Sequence, residues 1–418
     1  MNERGMADDK EAAPQNGASL TDFALREHRS LWRDAWRRLI SSTTGRLGLI
    51  IVSLFVLGTV LAHFFWEYNS RTDLDYSLKL KPPNLQPTEE VASIHPFGTD
   101  KNGRDIFRRV VHGGWNSLRV GIIAVGISLS IGGVLGLLAG FYESMPLGTG
   151  GRIVLFGAIG LLFGAAVGWI AGQIWQPILL TGLGAAAVLL GDLWVGKPAR
   201  TLLFAAVGLL LAAVPALLVS LPTAAACGIL GLIAGVILAQ PLSGPLVSNI
   251  IMRCMDIILA FPGILLAIAI VAMLGPGLDK GMIAIGFVGI PVYARLVRSA
   301  VLTVVQEEYV TAGLAVGVGQ GRILFRHIVP NTLSPVTVQA TMGLASAIIW
   351  AGALGFLGLG AIPPEPEWGA MLGDSYKYLS SGAWWAVTFP GLAIMLSVLG
   401  FNLLGDGLRD ALDPRLRV

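Results

Sequence analysis

Apolar runs of about twenty residues recur along this chain of 418 residues, and few charged side chains interrupt them. Hydrophobic residues make up 54% of the sequence and charged residues 13%, whereas a soluble domain carries about 25% charged residues. One run of this length crosses the hydrocarbon core of a bilayer as a single helix. The sequence therefore predicts an all-α integral membrane protein.

Six of these runs form a predicted core, and an inserted region at 146–248 adds about four more. The core spans are predicted at Leu47–Trp66, Ser117–Phe141, Cys254–Leu274, Met282–Val304, Val336–Gly358 and Trp384–Leu404. The inserted spans are predicted at Ile153–Ile174, Pro177–Val195, Thr201–Leu221 and Ala224–Leu242. About ten transmembrane helices result. An open alternative is that one or two of the inserted segments are re-entrant or half-length.

The distribution of basic residues predicts the side of the membrane that each loop faces. Residues 20–40 combine arginines with aromatic and leucine side chains, which is typical of an amphipathic helix on an anionic inner leaflet. The N-terminal tail, 1–46, is therefore predicted to be cytoplasmic. The remaining segments are predicted as the first span (47–67), an extracytoplasmic loop (68–116), the second span (117–145), the core (249–409) and a cytoplasmic tail (410–418).

Small and charged residues within the spans carry further predictions. Gly132, Gly136 and Gly140 recur at four-residue spacing in the second span, which lets another helix approach closely. Asp256 is the main acidic residue inside the spans and is interpreted as a capping or arginine-paired side chain. Arg295 and Arg298 are predicted to reach the cytoplasmic interface, because a cation at the bilayer centre costs about 3 kcal/mol or more.

Catalytic chemistry has no signature in the sequence. No nucleophile–base pair or paired carboxylate is visible, and Cys227 and Cys254 lack the spacing of a metal site or a disulfide. The chain is therefore predicted not to be an enzyme. The spans are also almost free of the ionisable groups with which secondary transporters couple ions to solutes, with Asp256 as the main exception. This indicates that energy comes from outside the chain, with a secondary transporter or a channel as the alternative.

The segment from Glu307 to Asn331 is polar enough to lie on a membrane face, and apolar runs flank it on both sides. A helix is predicted over Glu307–Val316, with two carboxylates at the end where the helix dipole favours negative charge. Three glycines then predict a break, and a second short helix, Arg322–Val329, is predicted to stop at Pro330. The pattern predicts a helix–turn–helix on which a partner docks.

This segment resembles the cytoplasmic loop of binding-protein-dependent ABC importer permeases. The stretch EYVTAGLAVG…RILFRHIVPN carries the likeness, which is strongest to the C-type subunit of dipeptide and oligopeptide transporters. The family pattern of Glu-Ala-Ala, glycine and proline corresponds to Thr311-Ala312-Gly313, Gly317 and Pro330. Threonine therefore replaces the glutamate of the motif, which removes one carboxylate contact but keeps the spacing.

Further stretches extend the resemblance over roughly 30–140 and 249–416. These are HPFGTDKNGRDIFRRVVHGGWNSLRVGI, MRCMDIILAFPGILLAIAIVAMLGPG, FLGLGAIPPEPEWGAMLGDS and the tail FNLLGDGLRDALDPR. The region 146–248 has no counterpart in this pattern and is interpreted as an insertion. A permease for export or regulation is an alternative that the insertion leaves open.

The resemblance implies a type I ABC importer permease in a bacterial inner membrane, with both termini cytoplasmic. Its partners would be a homologous second permease, two cytoplasmic ATP-binding subunits and an extracytoplasmic solute-binding protein received near 68–116 and 361–386. ATP and magnesium would bind the partners, and no cofactor would bind this chain. The solute would be a dipeptide or oligopeptide, with nickel or another small solute as the alternative. The residues implied to contact the ATPase are Glu308, Tyr309, Thr311, Ala312, Gly313, Leu314, Gly317, Arg322, Phe325, Arg326 and Pro330.

Overall fold

The computed structural model describes residues 31–87, 93–144 and 244–413, and helices dominate these ranges. Two isolated bridges, Asn84 with His95 and Thr99 with Asp105, are the only β-type pairings over the described ranges. The helices are α1 (Leu31–Ser41), α2 (Thr43–Phe65), α3 (Ile106–Ser144), α4 (Gly244–Leu259), α5 (Gly263–Leu274), α6 (Leu278–Val305), α7 (Glu308–Ala315), α8 (Gln320–Ile323), α9 (Val329–Phe356), α10 (Trp368–Ser375) and α11 (Trp385–Leu412).

Five helical runs in the described part are long and apolar enough to cross a membrane. They are α2, α3, α6, α11 and the run Gln320–Phe356, in which a π-helical turn at Leu324–Ile328 joins α8 to α9. The pair α4 and α5 makes a sixth if the two are counted as one span, although they meet at 85°. The prediction of an all-α membrane fold is confirmed. The four inserted spans, Cys227 and the tail 1–30 lie outside the described residues.

The helices depart from the predicted segments at three places. Helix α3 begins at Ile106, before the predicted span at Ser117, because charged residues at its start are paired inside the fold. The predicted third span, Cys254–Leu274, is not one helix, because the chain turns sharply between Leu259 and Gly263. The helix of the 307–330 segment does not stop at Pro330, which lies in the first turn of α9, where the missing amide hydrogen costs little.

The remaining core spans differ from prediction mainly in length. The first begins at Thr43 instead of Leu47, and the last continues to Leu412 instead of Leu404. The extension of α11 packs against α1, where Ala35 and Leu39 are buried beside Ala411. This contact holds the first described helix against the end of the last one.

Helix α3 lies at the centre of the fold and packs closely on α6. A methyl group at Gly132 would collide with the carbonyl of Ile290, and one at Gly136 with the carbonyl of Ala294. A methyl group at Gly140 would likewise meet the carbonyl of Arg298 and the side chain of Val301. The close approach predicted from the four-residue glycine spacing is confirmed.

Candidate coupling surface

The 307–330 segment forms a short helix, a glycine turn and the start of a long helix. Helix α7 begins at Glu308, whose carboxylate lies in the first turn, and ends at Ala315. Gly317 then adopts a φ of +83°, which lets its amide donate to the Leu314 carbonyl and the amide of Val318 donate to the Gly313 carbonyl. The glycine is needed here because side chains with a Cβ rarely adopt this conformation. We call the exposed side of this segment, 307–330, the coupling surface.

The inner side of the segment is fixed to the helix bundle. Val310, Ile323 and Ile328 are buried in one apolar cluster with Phe141 and Tyr142 of α3. The cluster also takes in Val247 of α4 and Val297 and Val301 of α6. The segment is therefore a rigid part of the bundle and not a loose connection between two helices.

Large apolar side chains lie on the outer side of the same segment. Val316 is 85% exposed and Phe325 is 69% exposed, with Tyr309 and Leu314 partly open beside them. Nothing lies within 4 Å of a Cβ placed on Gly313, Gly317, Gly319 or Gly321. An apolar patch on a polar rim at the end of a membrane protein is typical of a surface that binds another protein.

The structure brings all of the predicted ATPase-contact residues onto this one surface. Each of them is exposed except Gly313, which is half-buried. The phenol oxygen of Tyr309 accepts a hydrogen bond from Asn331 Nδ2 at 3.0 Å, which ties α7 to the first turn of α9. Burial, together with the nearby Glu307 carboxylate, raises the pKa of Tyr309, so the phenol stays neutral in this contact.

An arginine network joins three helices, α3, α4 and α6, to one another near the coupling surface. Arg298 of α6 donates to Glu143 of α3 through Nη2 at 2.6 Å, and its Nε lies 2.9 Å from the Ser248 hydroxyl of α4. Ser248 in turn donates to Glu143 at 2.7 Å. The sequence pointed to Arg298 but gave no sign of its two partners, because they are far apart along the chain.

Asp256 pairs with Arg295 at 2.6 Å, which confirms the prediction that it is an arginine-paired side chain. Both side chains of this pair are about half exposed, unlike the buried hydroxyl of Ser248. Among the residues that the structure describes, no group of three His, Cys, Asp or Glu side chains could hold a metal ion.

The opposite end of α3 holds a buried network that the sequence did not reveal. Asp100 accepts from Arg104 at 2.8 Å and from Arg109 at 2.5 Å, and all three side chains are buried. His112 bonds to the carbonyl of Trp66 at 3.0 Å, which fastens the end of α2 to α3. Helix α3 has 39 residues and is about 58 Å long at about 1.5 Å per residue, and this network lies at its start, whereas Phe141 and Tyr142 near its end pack against the 307–330 segment.

Glu367 is a second buried carboxylate near this end, and it lies in the 361–386 segment, where the resemblance implies that the binding protein is received. Its side chain is 1% exposed, and it caps α10 by accepting from the amides of Gly369 and Ala370, each at 2.8 Å. Burial raises the pKa of Glu367 to about 7, against the opposing effect of the two amide donors. Lys101 and Asp374 pair nearby at 2.8 Å.

Comparisons with known proteins place these features in a family. The family described as the inner membrane component of binding-protein-dependent transport systems matches residues 231–418. The family described as the N-terminal transmembrane domain of oligopeptide transport permease C matches residues 30–83. The match at 231–418 begins within the region 146–248, and helix α3 lies between the two matches.

Individual relatives agree with the family matches. The dipeptide transport system permease protein DppC of Alkalihalophilus pseudofirmus is 37% identical over 388 residues, which cover 93% of this chain and 91% of that protein. The glutathione transport system permease protein GsiD of Pectobacterium atrosepticum is 32% identical over 96% of each chain. The dipeptide permease DppC of Escherichia coli is 55% identical, but the alignment covers 40% of this chain and 56% of that protein. The chain therefore belongs to the family of binding-protein-dependent transport system inner membrane components, the permease subunits of ABC importers.

Proposed function

We propose that this chain, together with a homologous second permease, forms the membrane path of an ATP-driven importer of dipeptides or oligopeptides. ATP hydrolysis takes place in two partner subunits that dock on the coupling surface, and an extracytoplasmic binding protein delivers the solute. The peptide class is supported by relatives from several bacteria that are named as dipeptide and di/tripeptide permeases.

One observation carries the proposal: the 307–330 segment is rigid on its inner side and apolar on its outer side. Buried Val310, Ile323 and Ile328 transmit a push on the segment directly to α3 and α6. Exposed Val316 and Phe325 offer apolar anchors for a groove on the partner, as in helix-in-groove recognition. Docking energy can therefore be converted into movement of the spans.

The coupling surface faces the cytoplasm in this proposal, and both chain termini lie on the same side of an inner membrane. The network around Asp100 and the capped helix α10 then face outwards. They support the loops that receive the binding protein, near 68–116 and 361–386. Thr311 occupies the place of the motif glutamate without closing the docking surface, because its side chain is exposed beside open glycines.

Recovery of the ATPase subunits with substituted chains tests the docking. Leu314→Asp or Gly317→Pro should abolish co-purification of the ATPases while the second permease is still recovered. Leu379→Asp is the matched control, because Leu379 is 53% exposed and Leu314 40% exposed, but Leu379 lies at the far end of the molecule. Undiminished ATPase recovery with both docking variants would refute the proposal.

Transport by reconstituted vesicles tests the energy source. Vesicles that contain the two permeases, the ATPases and the binding protein should accumulate a dipeptide only when ATP is present. Uptake by the permease chains without nucleotide would instead identify a secondary transporter or a channel.

A further inference from the structure

A half-open cavity of about 520 Å³ lies between α3, α6, α9 and the break that separates α4 from α5. Pockets for small molecules measure about 300–1,000 Å³, so this cavity is large enough for a ligand. It lies well inside the membrane-spanning region, because Tyr293 on its wall is about 18 Å from the end of α6 at Val305, at about 1.5 Å per residue.

The helix break is built into the wall of this cavity. Phe261, Pro262 and Gly263 line it at the point where the chain turns by 85°. The ring of Trp350 from α9 occupies the space that a side chain at Gly263 would need. Non-helical backbone at membrane depth is tolerated where it is buried in protein or lines a polar cavity, so the break indicates a site that is not filled by lipid alone.

The polar groups on the wall are neutral. Among the described residues that line the cavity, none is charged. Gln339 and Trp350 line the cavity, and neither side chain has a hydrogen-bond partner in the described part of the chain. Tyr293 donates to the backbone carbonyl of Gln339 at 3.4 Å, and the hydroxyl of Ser128 donates to Gly286 at 2.7 Å.

The cavity is also connected to the coupling surface. Helix α6 leads into the 307–330 segment and α9 leads out of it, and these two helices supply most of the cavity wall. A displacement of the segment therefore changes the distance between the two walls.

We propose that this cavity is the membrane-level binding site for the transported solute, and that it takes the peptide bond and one side chain of a short neutral peptide. The inference rests on the proposed transport function and names the site within it. The Gln339 amide can both donate to and accept from a peptide bond, the Trp350 indole can only donate, and apolar Val288 and Val292 accept a side chain. A lipid acyl chain would leave the Gln339 amide unpaired, which disfavours lipid as the occupant.

Protection from labelling tests occupancy in the complete complex with its second permease, ATPases and binding protein. Cys227→Ser and Cys254→Ser remove the two native thiols, after which Ser346→Cys places one on the cavity wall. Alanyl-leucine with ATP should slow maleimide labelling of this thiol about threefold or more, as ligand occupancy requires. Ile349→Cys is the control, because Ile349 is exposed on the same helix but does not line the cavity.

Filling the cavity tests its use in transport. Val292→Trp and Ser346→Trp should lower alanyl-leucine uptake about tenfold or more, since a bulky side chain excludes the solute. Ile349→Trp should stay within about twofold, as surface substitutions do.

The experiments distinguish failure of the proposed transport function from failure of the cavity assignment. Absence of ATP-dependent uptake by the unsubstituted complex would refute the proposed function itself. Normal uptake by the filled variants, or a labelling rate at Ser346→Cys that the dipeptide leaves unchanged, would overturn the cavity assignment alone. If a tryptophan variant fails to assemble, the labelling result decides, and unprotected labelling would indicate that lipid fills the cavity.

Discussion

The two ends of α3 differ in which side chains are buried and which are exposed. At its start, Asp100 holds two arginines in a buried network, and the loops around it are closed over that network. Near its other end, Val316 and Phe325 are exposed on the 307–330 segment, whose inner side packs against the helix bundle. The first end is closed over its charged side chains, whereas the second end leaves apolar side chains exposed.

Asp100→Ala is expected to give the largest effect, because it leaves Arg104 and Arg109 buried without a counter-ion. Removal of one member of a buried ion network costs about 3–5 kcal/mol, so the purified chain should unfold at a much lower temperature or fail to accumulate. The matched control is Asp73→Ala, which removes a partly exposed pair with Arg108 at 3.5 Å and should cost less than about 1 kcal/mol. Equal stability of the two variants would show that the buried ion pairs of Asp100 do not stabilise this end of the molecule.

Gly136→Leu tests the helix contact that joins the two ends. A leucine there must displace the Ala294 backbone of α6, and overpacking of this kind costs about 1–3 kcal/mol. Gly126→Leu is the control on the same helix, because nothing lies within 4 Å of a Cβ at Gly126. We expect thermal unfolding in detergent to show a loss for the first variant only. A loss of similar size in both would point to helix α3 itself and not to its contact with α6.

The difference between the ends also explains which features the sequence predicts. Apolar runs and glycine spacing depend on local pattern, and they locate α2, α6 and the contact between α3 and α6. Arg109 and Glu367 look like loop charges in the sequence, because their burial depends on partners from distant segments. The start of α3 is therefore missed at the closed end.

The coupling surface is easier to predict because most of its polar residues and glycines are exposed in the fold. Its charges and glycines stay on the surface in the fold, so a linear pattern describes them well. The break at Pro262 is missed for a different reason: proline and glycine are common in transmembrane helices, and apolar residues continue on both sides. The cavity beside that break is therefore visible only in three dimensions.

Arg298→Ala tests how the bundle transmits movement of the coupling surface. The substitution removes the bonds to Glu143 and Ser248, a loss of about 1 kcal/mol of stability for a partly exposed group. We expect the ATPases to dock and hydrolyse ATP while fewer solute molecules are moved per ATP. Arg295→Ala removes the more exposed pair with Asp256 from the same helix and should leave this ratio unchanged. A reduced ratio in both variants would mean that the network around Arg298 has no special role.

Glu367→Gln is expected to give the smallest effect, and it is visible only as a function of pH. Because burial raises the pKa of Glu367 from 4.5 to about 7, the folded chain keeps a proton that the unfolded chain has lost between these values. The contribution of this group to stability is therefore largest below about pH 4.5, falls as the pH rises towards 7 and is constant above that. Glutamine removes this dependence, although it also loses an acceptor for one of the two α10 amides. The unfolding temperature of the Glu367→Gln variant should rise relative to that of the parent as the pH increases through this range. A difference that is independent of pH would show that Glu367 is ionised throughout and that the closed end tolerates a buried charge stabilised by two amide donors.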